Sequence, residues 1–301
     1  MSRVVVVRYD GADLMSGLSV RQYRDILQAG LSALGSNFLK DRLLGRAKGK
    51  STTVGIKPNC LAKHLNSTPV ALANALIELL VEAGVSENNT VVWERSNREL
   101  SEAGYELNAS FAGRRCLGTD TNGVGYSSEF YTSGDVNSLV TKILTEMVDI
   151  NINLPVLKDH SLAGMSAGLK NMYGAIHNPN KYHGDNCNPF CAHVSNLDPI
   201  RKKNRLTVID AVRVQYHGGP GFIGDYFYHY GGVILSEDPV ACDTVGLQIL
   251  EKIRKDKGLP PLDKAGRPVK YLASANQIGL GEAVMDKIEV ETIRLGIANM
   301  Q

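Results

Sequence analysis

The sequence predicts an α/β protein, with a mostly parallel or mixed sheet, helices on both faces and long inserted loops. Three observations carry this. Short β-branched runs alternate with amphipathic segments along the chain. Two helix starts, Thr68-Pro69 and Asp238-Pro239, show a capping residue followed by proline. The strand–helix–strand spacing over residues 51–94 suits a right-handed parallel crossover.

The elements follow in order. Residues 4–8 form a buried strand through Val4-Val5-Val6-Val7. Ser19 caps a helix over 20–34, whose apolar positions recur at three and four, and Gly35-Ser36-Asn37 breaks it. Residues 51–57 form a strand that Pro58-Asn59 stops. Thr68 caps a helix over 70–83 that Gly84 ends, and 90–94 is the next strand. The Gly/Ser/Asn-rich stretch that follows has little periodicity, so 95–135 is a candidate small subdomain within a single α/β domain spanning 1–301. An amphipathic helix is expected over 136–147, a strand over 149–154, a small-residue helix over 164–173 and an irregular loop over 177–193. A strand over 206–209 ends at Asp210, Gly218 to Gly221 reads as a turn or flexible loop, and 233–235 is a short strand. Asp238-Pro239 opens a helix through Ile253. A helix over 269–278 and a strand over 288–293 close the chain.

Composition narrows the function. The chain has 301 residues, 43% hydrophobic and 21% charged, enough for a sizeable core without staples. A net charge of +2 argues against nucleic acid as a partner. The densest basic stretch, Arg201-Lys202-Lys203-Asn204-Arg205, reads as a solvated helix end or, alternatively, an anion contact. Five scattered cysteines give no disulfide framework and no CxxC pair, so neither a zinc ribbon nor a ferredoxin-type cluster is written here. The opening valine run is too short for a signal-peptide core or a membrane span, and the chain as it stands reads as cytoplasmic. A homo-oligomer is left open.

Ligands of open α/β sheets bind at the carboxyl ends of strands, which directs attention to particular residues. Lys57, beside Pro58-Asn59, suits an anion clamp, or else extends to water; Asn59 holds the turn or binds substrate. Lys158, Asp159 and His160 precede a run of small residues at 164 and 166–168 that leads to Lys170 and Asn171. His160 is a candidate base or metal ligand and Lys170 a clamp or nucleophile; the alternative is a tightly packed small-residue helix. In the loop that follows, His177, His183, Cys187, Cys191 and His193 are the donors a transition metal such as nickel, zinc or iron prefers. Their spacing matches no standard zinc pattern, so a metal-free active-site loop and an inert surface loop stay open beside it. Asp210, after a buried strand, orients a histidine, binds a cation or pairs with an arginine. Asp243, in the first turn of its helix, suits the helix dipole, and Cys242 falls on the apolar face.

Several of these blocks together resemble a known family. "VGIKPN" from residue 54, the Thr-Pro helix start, "LKDHSLAGMSAGLKNMYG", "LTVIDAV" with the "GGPG" turn, and "VILSEDPVACDTVG" are similar, in this order, to the family catalogued as domain of unknown function 362. "NQIGLGEAVMDKIEV" resembles that family's C-terminal end. The resemblance spans roughly residues 54 to 250. It implies no reaction; some members carry ferredoxin-like cysteine motifs, which this chain lacks. The segment from His160 to Lys170 is more distantly similar to the nickel-dependent lactate racemases. That likeness implies acid/base or ligand work for His160 and attachment of a nickel-pincer nucleotide at Lys170.

The expectation is an enzyme that binds a small anionic molecule at the sheet's carboxyl edge. Lys57, Asn59, Lys158, Lys170 and Asn171 would hold the anion. His160, with Asp210 or His177 nearby, would move a proton in transfer, isomerisation or redox chemistry, with an optional metal. The alternative is an accessory protein that handles a metal or cofactor. An enzyme requires Lys57, His160, Lys170 and Asp210 to converge, whereas a metal handler requires His183, Cys187, Cys191 and His193 to do so.

Overall fold

The computed structural model describes residues 1–10, 17–46 and 51–296. Among them a ten-stranded sheet runs in the order β12-β1-β11-β10-β7-β2-β3-β4, with β8 beside β10, and β9 beside β8. The strands are β1 (Ser2–Asp10), β2 (Val54–Pro58), β3 (Thr90–Glu94), β4 (Arg115–Gly118), β7 (Ile150–Leu154), β8 (Val156–His160), β9 (Gly164–Ser166), β10 (Asn204–Gln215), β11 (Phe227–Ser236) and β12 (Ile288–Gly296); β5 (Tyr131–Ser133) and β6 (Val136–Ser138) form a separate hairpin. The block β10-β7-β2-β3-β4 is parallel. Only β11, against β1 and β10, and β9, against β8, run antiparallel. The expected mixed, mostly parallel α/β sheet is therefore what the chain builds.

Strand alternation divides the core between two faces. Val5 and Val7 of β1, Val54 and Ile56 of β2 and Ile152 of β7 pack with α1 (Val20–Leu34) and α2 (Val70–Glu82). Val4, Val6 and Ile209 face α7 (Pro239–Asp256). Val91 and Trp93 pack beneath α5 (Phe190–Asn196) and α8 (Tyr271–Gln277). The short helices are α3 (Asn97–Glu102), α4 (Gly168–Asn171) and α6 (Asp198–Lys203).

Most helix starts follow their sequence signals. Ser19 and Gln22 form a reciprocal capping box on α1, and Asp238 accepts from the Val240 and Ala241 N–H groups at the start of α7. Thr68 is the exception. Its hydroxyl donates to the Leu154 carbonyl at 2.6 Å and accepts from Asn59 N, tying two strand ends together instead of capping α2.

Four expectations need correction. Residues 136–147 are not a helix but β6 followed by a π-helical turn, Ile143–Met147. The small residues at 164–168 form β9 and the entry to α4, because β8 turns back at once and pairs with them. Residues 177–193 are not irregular throughout: single 3₁₀ turns occupy 179–182 and 185–187, and α5 begins at Phe190. β10 continues six residues past Ile209 to Gln215, so Asp210 lies in mid-strand and not at a strand end. Within 95–135, β4 belongs to the main sheet.

Candidate functional site

Three strands deliver polar residues to one place on the carboxyl edge. Asn59 follows β2, Glu94 and Arg95 close β3, and His160 closes β8. With Lys170, Tyr173 and His183 they line a cavity of about 450 Å³, within the roughly 300–1,000 Å³ typical of small-molecule sites. A smaller cavity of about 170 Å³ is lined by Met172, Glu237 and, from the basic stretch noted in the sequence, Arg201, Asn204 and Arg205.

The floor is a dry polar lattice. Lys57, fully buried, pairs closely with Glu94 and donates to the Pro58 carbonyl. Its ammonium lies 5.3 Å from the centre of the Trp93 ring. Gly174 makes room for it: a Cβ there would fall 2.7 Å from Lys57 Nζ. Beside this pair, Asn171 Nδ2 donates to Asn153 Oδ1 at 2.8 Å, and Asn171 Oδ1 accepts from Asn59 Nδ2 at 3.1 Å. Asn59 Oδ1 in turn accepts from Lys158 Nζ at 2.9 Å, while Lys158 also donates to the Asn66 carbonyl. Lys158 is fully buried with no carboxylate partner among the described residues, and burial lowers its pKa to about 7. Asn153 Nδ2 holds the Gly168 carbonyl at 2.8 Å. From α7, Asp243 accepts from Gly168 N and Leu169 N at 2.7 and 2.9 Å, fixing the start of α4 and with it Lys170.

Above this floor four groups face the cavity with hydrogen-bonding capacity to spare. Lys170 Nζ lies 3.9 Å over the Tyr173 ring, with no ion pair among the described residues. Burial pushes its pKa down, against the pull of the Cys191 and Cys187 thiols. The Ser166 hydroxyl, on β9, has no hydrogen-bond partner among the described residues. The remaining two are imidazoles, His160 and His183, with ring centres 6.4 Å apart.

The backbone sets the two imidazoles in opposite tautomers. His160 Nδ1 faces two N–H groups, Leu162 N and Ala163 N, each at 3.1 Å. An N–H can only donate, so Nδ1 accepts and the ring proton resides on Nε2. Burial and the Lys170 charge lower the His160 pKa to about 3, so the ring stays neutral. His183 Nδ1 lies 3.0 Å from the Pro179 carbonyl. A carbonyl can only accept, so here Nδ1 carries the proton and Nε2 keeps its lone pair. Burial and Lys170 lower the His183 pKa too, which keeps that lone pair free near neutrality.

The residues singled out from the sequence are therefore partly brought together. His160, Lys170, Asn59 and Asn171 all line the cavity. The two asparagines spend their carboxamides on each other and on the floor, so they position rather than bind. Lys57 is not a free anion clamp, because Glu94 takes its charge, and Lys158 lies beneath Asn59. The His160 Nδ1 lone pair is occupied by the Leu162 and Ala163 N–H groups, which leaves Nε2–H as the ring atom it can offer to the cavity. Asp210 faces α1 instead, where it accepts from Tyr23 Oη at 3.4 Å, and burial raises its pKa to about 6. Asp159 points away from the cavity into Arg267 and Arg254.

The His/Cys loop separates. His177 packs edge-on to Tyr126, and His193 Nδ1 contacts Ser133 Oγ at 3.0 Å. Cys187 and Cys191 are buried neighbours of each other, and of the five only His183 reaches the cavity. Among the described residues no three His, Cys, Asp or Glu side chains group as a metal site. With the His160 lone pair occupied as well, the donor set does not fit the ligand role that the racemase likeness gives this histidine. Nor is the glycine turn a phosphate loop. Gly219 to Gly224 does spell GxGxxG, but the segment joins two antiparallel strands and opens no α-helix.

From the sequence Glu94 draws attention only as a strand-end residue and Ser166 only as a small one, and Asn153 and Asp243 carry no site role. One signal was available. In Ile150-Asn151-Ile152-Asn153-Leu154 both faces are covered, so the alternate asparagines have to satisfy their amides inside the protein.

The family model described as "Domain of unknown function (DUF362)" matches residues 54–248, well over half of the chain. The chain belongs to the DUF362 family. That match covers every cavity residue discussed above. Among solved structures, a crystal structure of a protein from Thermotoga maritima aligns with a TM-score of 0.45 and 14% identity, over 80% of this chain and 60% of that one. This DUF362 chain thus spans about 60% of that protein's length. No curated protein matches. Among the described residues no helix is long and apolar enough to cross a membrane.

Proposed function

We propose that this DUF362 protein is an acid–base enzyme that binds a small anion at Lys170 and removes and returns a proton at the carbon next to a carbonyl of the bound molecule. The observation that carries the reading is the opposed tautomer pair, with His183 Nε2 as acceptor and His160 Nε2–H as donor in the same cavity as the Lys170 ammonium, which has no ion pair among the described residues.

Lys170 attracts and orients a carboxylate in a partly desolvated site, where a single charge counts for more than in water. His183 Nε2 takes a proton from the carbon next to a carbonyl. Negative charge then develops on the carbonyl oxygen, and the neutral His160 Nε2–H stabilises it by hydrogen bonding. A neutral imidazole locked in one tautomer donates without first losing a proton of its own, and it needs no reorganisation during the step. Return of the proton from His183 to that carbon restores the carbonyl compound, and return to its other face is an epimerisation. Asn59, Asn171 and Asp243 hold Lys170 and the strand ends in register.

Solvent exchange tests this. Pyruvate and 2-oxohexanoate are incubated with the protein in deuterated water, and deuterium gain at C3 is followed by NMR. The wild type is expected to exchange, His183→Gln to lose exchange, and His160→Gln to slow it about 100-fold or more, the usual scale for an oxyanion donor. Lys170→Met is expected to lose binding of both acids. Exchange that is the same in His183→Gln as in the wild type overturns the base assignment. Acid binding unchanged in Lys170→Met overturns the anion site.

A further inference from the structure

The mouth of the cavity differs in character from its floor. Leu61 and Leu162 both line the cavity, yet they are 56% and 50% exposed. They come from different elements, Leu61 from the turn after β2 and Leu162 from the turn between β8 and β9. Leu65, Phe222 and Ile223 add 38%, 43% and 40% exposed apolar side chains on loops adjoining the same mouth. The loop of Leu61 and Leu65 is tied to the loop of Phe222 and Ile223 by Gln215, whose carboxamide oxygen accepts from Asn66 Nδ2 at 3.0 Å and Ile223 N at 3.2 Å. Pro220, from the latter loop, also lines the cavity. Five of the twelve large hydrophobic side chains exposed among the described residues thus sit on three neighbouring loops around one opening. Scattered exposed leucines are ordinary, but two half-exposed leucines from separate turns lining one polar cavity mark a binding surface.

From this we infer that the anion taken by the site carries an apolar chain or ring of several carbons, its charged head at Lys170 and its tail between Leu61 and Leu162. The inference rests on the anion reading of Lys170 and adds the substrate class. Charge complementarity orients the molecule: the unpaired cation lies inside and the exposed leucines lie at the entrance, so the polar end enters first. The cavity of about 450 Å³ leaves room beyond a two- or three-carbon acid.

Straight-chain carboxylates of two, four, six, eight and ten carbons, titrated calorimetrically into the full chain, test the inference without requiring turnover. Affinity is expected to rise about three- to fourfold for each methylene that leaves water, up to the length that fills the mouth. In the double variant Leu61→Ser, Leu162→Ser that rise is expected to flatten, with the acetate affinity unchanged. Acetate binding that Lys170→Met abolishes, together with an affinity flat in chain length, overturns the apolar-tail inference and leaves the anion site intact. A length dependence that survives the double leucine variant overturns the placement of the tail. Failure of every acid to bind overturns the anion reading, and this inference with it.

Discussion

The carboxylate of Asp243, five residues into α7, accepts hydrogen bonds from Gly168 N and Leu169 N and so anchors the start of a different helix. The candidate active-site lysine is positioned two residues later by a side chain distant in sequence. Asp243→Ala leaves two buried N–H groups without acceptors. A loss of roughly 1–3 kcal/mol per group is expected in urea denaturation, together with weaker carboxylate binding. Asp243 also has a pH signature. Burial raises its folded pKa to about 7, so the folded state holds this proton more tightly than the unfolded state does. Its contribution is full below about pH 4 and is lost as pH rises through about 7. Stability curves of wild type and Asp243→Asn, measured from pH 4 to 8, should diverge in that sense.

The Lys57–Glu94 pair predicts a stability effect with little direct effect on the cavity's free groups. Glu94→Gln leaves the Lys57 ammonium buried without its counter-ion. A loss of roughly 3–5 kcal/mol is expected, read as a lowered urea midpoint with an unchanged slope. An equal midpoint would mean that Lys57 sheds its proton or finds another partner.

His160 and His183 should differ in nitrogen NMR. His160 is expected as the Nε2–H tautomer and His183 as Nδ1–H, with no titration of His160 between pH 5 and 8, because its folded pKa is lowered to about 3. The unfolded chain takes up this proton first, so the His160 contribution is present above about pH 6.5 and is lost as pH falls towards 3. His160→Gln should flatten that part of the acid limb.

Lys158 works in the same sense at higher pH. Its folded pKa of about 7 lies below the ordinary lysine value. Its contribution is present above about pH 10.5 and is lost as pH falls through 7. Lys158→Met should remove that alkaline gain, measured as the difference between the two stability curves from pH 7 to 10.

Gly219 presses on β8. A Cβ at this position would fall 1.8 Å from the Asp159 carbonyl oxygen, and Gly219 N donates to Asp159 Oδ2 at 3.1 Å. Gly219→Ala should cost about 3 kcal/mol or more, seen as a depressed melting temperature, since backbone and not a flexible side chain stands in the way.

The fold was legible where local chemistry decides it. The capping residues Ser19 and Asp238, the valine run of β1 and the Val54–Pro58 strand end all act as their sequence suggests. Legibility failed where tertiary pairing overrides local pattern. Residues 164–166 read as helix, but β8 reverses and claims them as a strand. The site was half legible. His160 and Lys170 stand out by residue type and by following a strand. The direction of proton traffic did not show, because it depends on which carbonyl or N–H meets each Nδ1. Asp210 misled for a related reason: a strand that continues to Gln215 carries it away from the edge. The His/Cys loop does not converge, since Ser133 and Tyr126 meet two of its histidines, and composition alone does not say so.

The place of β1 in the sheet affects how the chain is made. β2, β3, β4 and β7 all lie within residues 54–154 and find their partners early in synthesis, apart from the β7–β10 pairing. β1 pairs only with β11 and β12, Val7 opposite Val233 and Val4 opposite Val290. β1 is thus made long before β11 and β12, and its four valines await partners meanwhile. Such a segment needs shielding from other nascent chains while translation proceeds. Production of this protein should therefore depend on chaperone supply and elongation rate more than the stability of its finished core suggests.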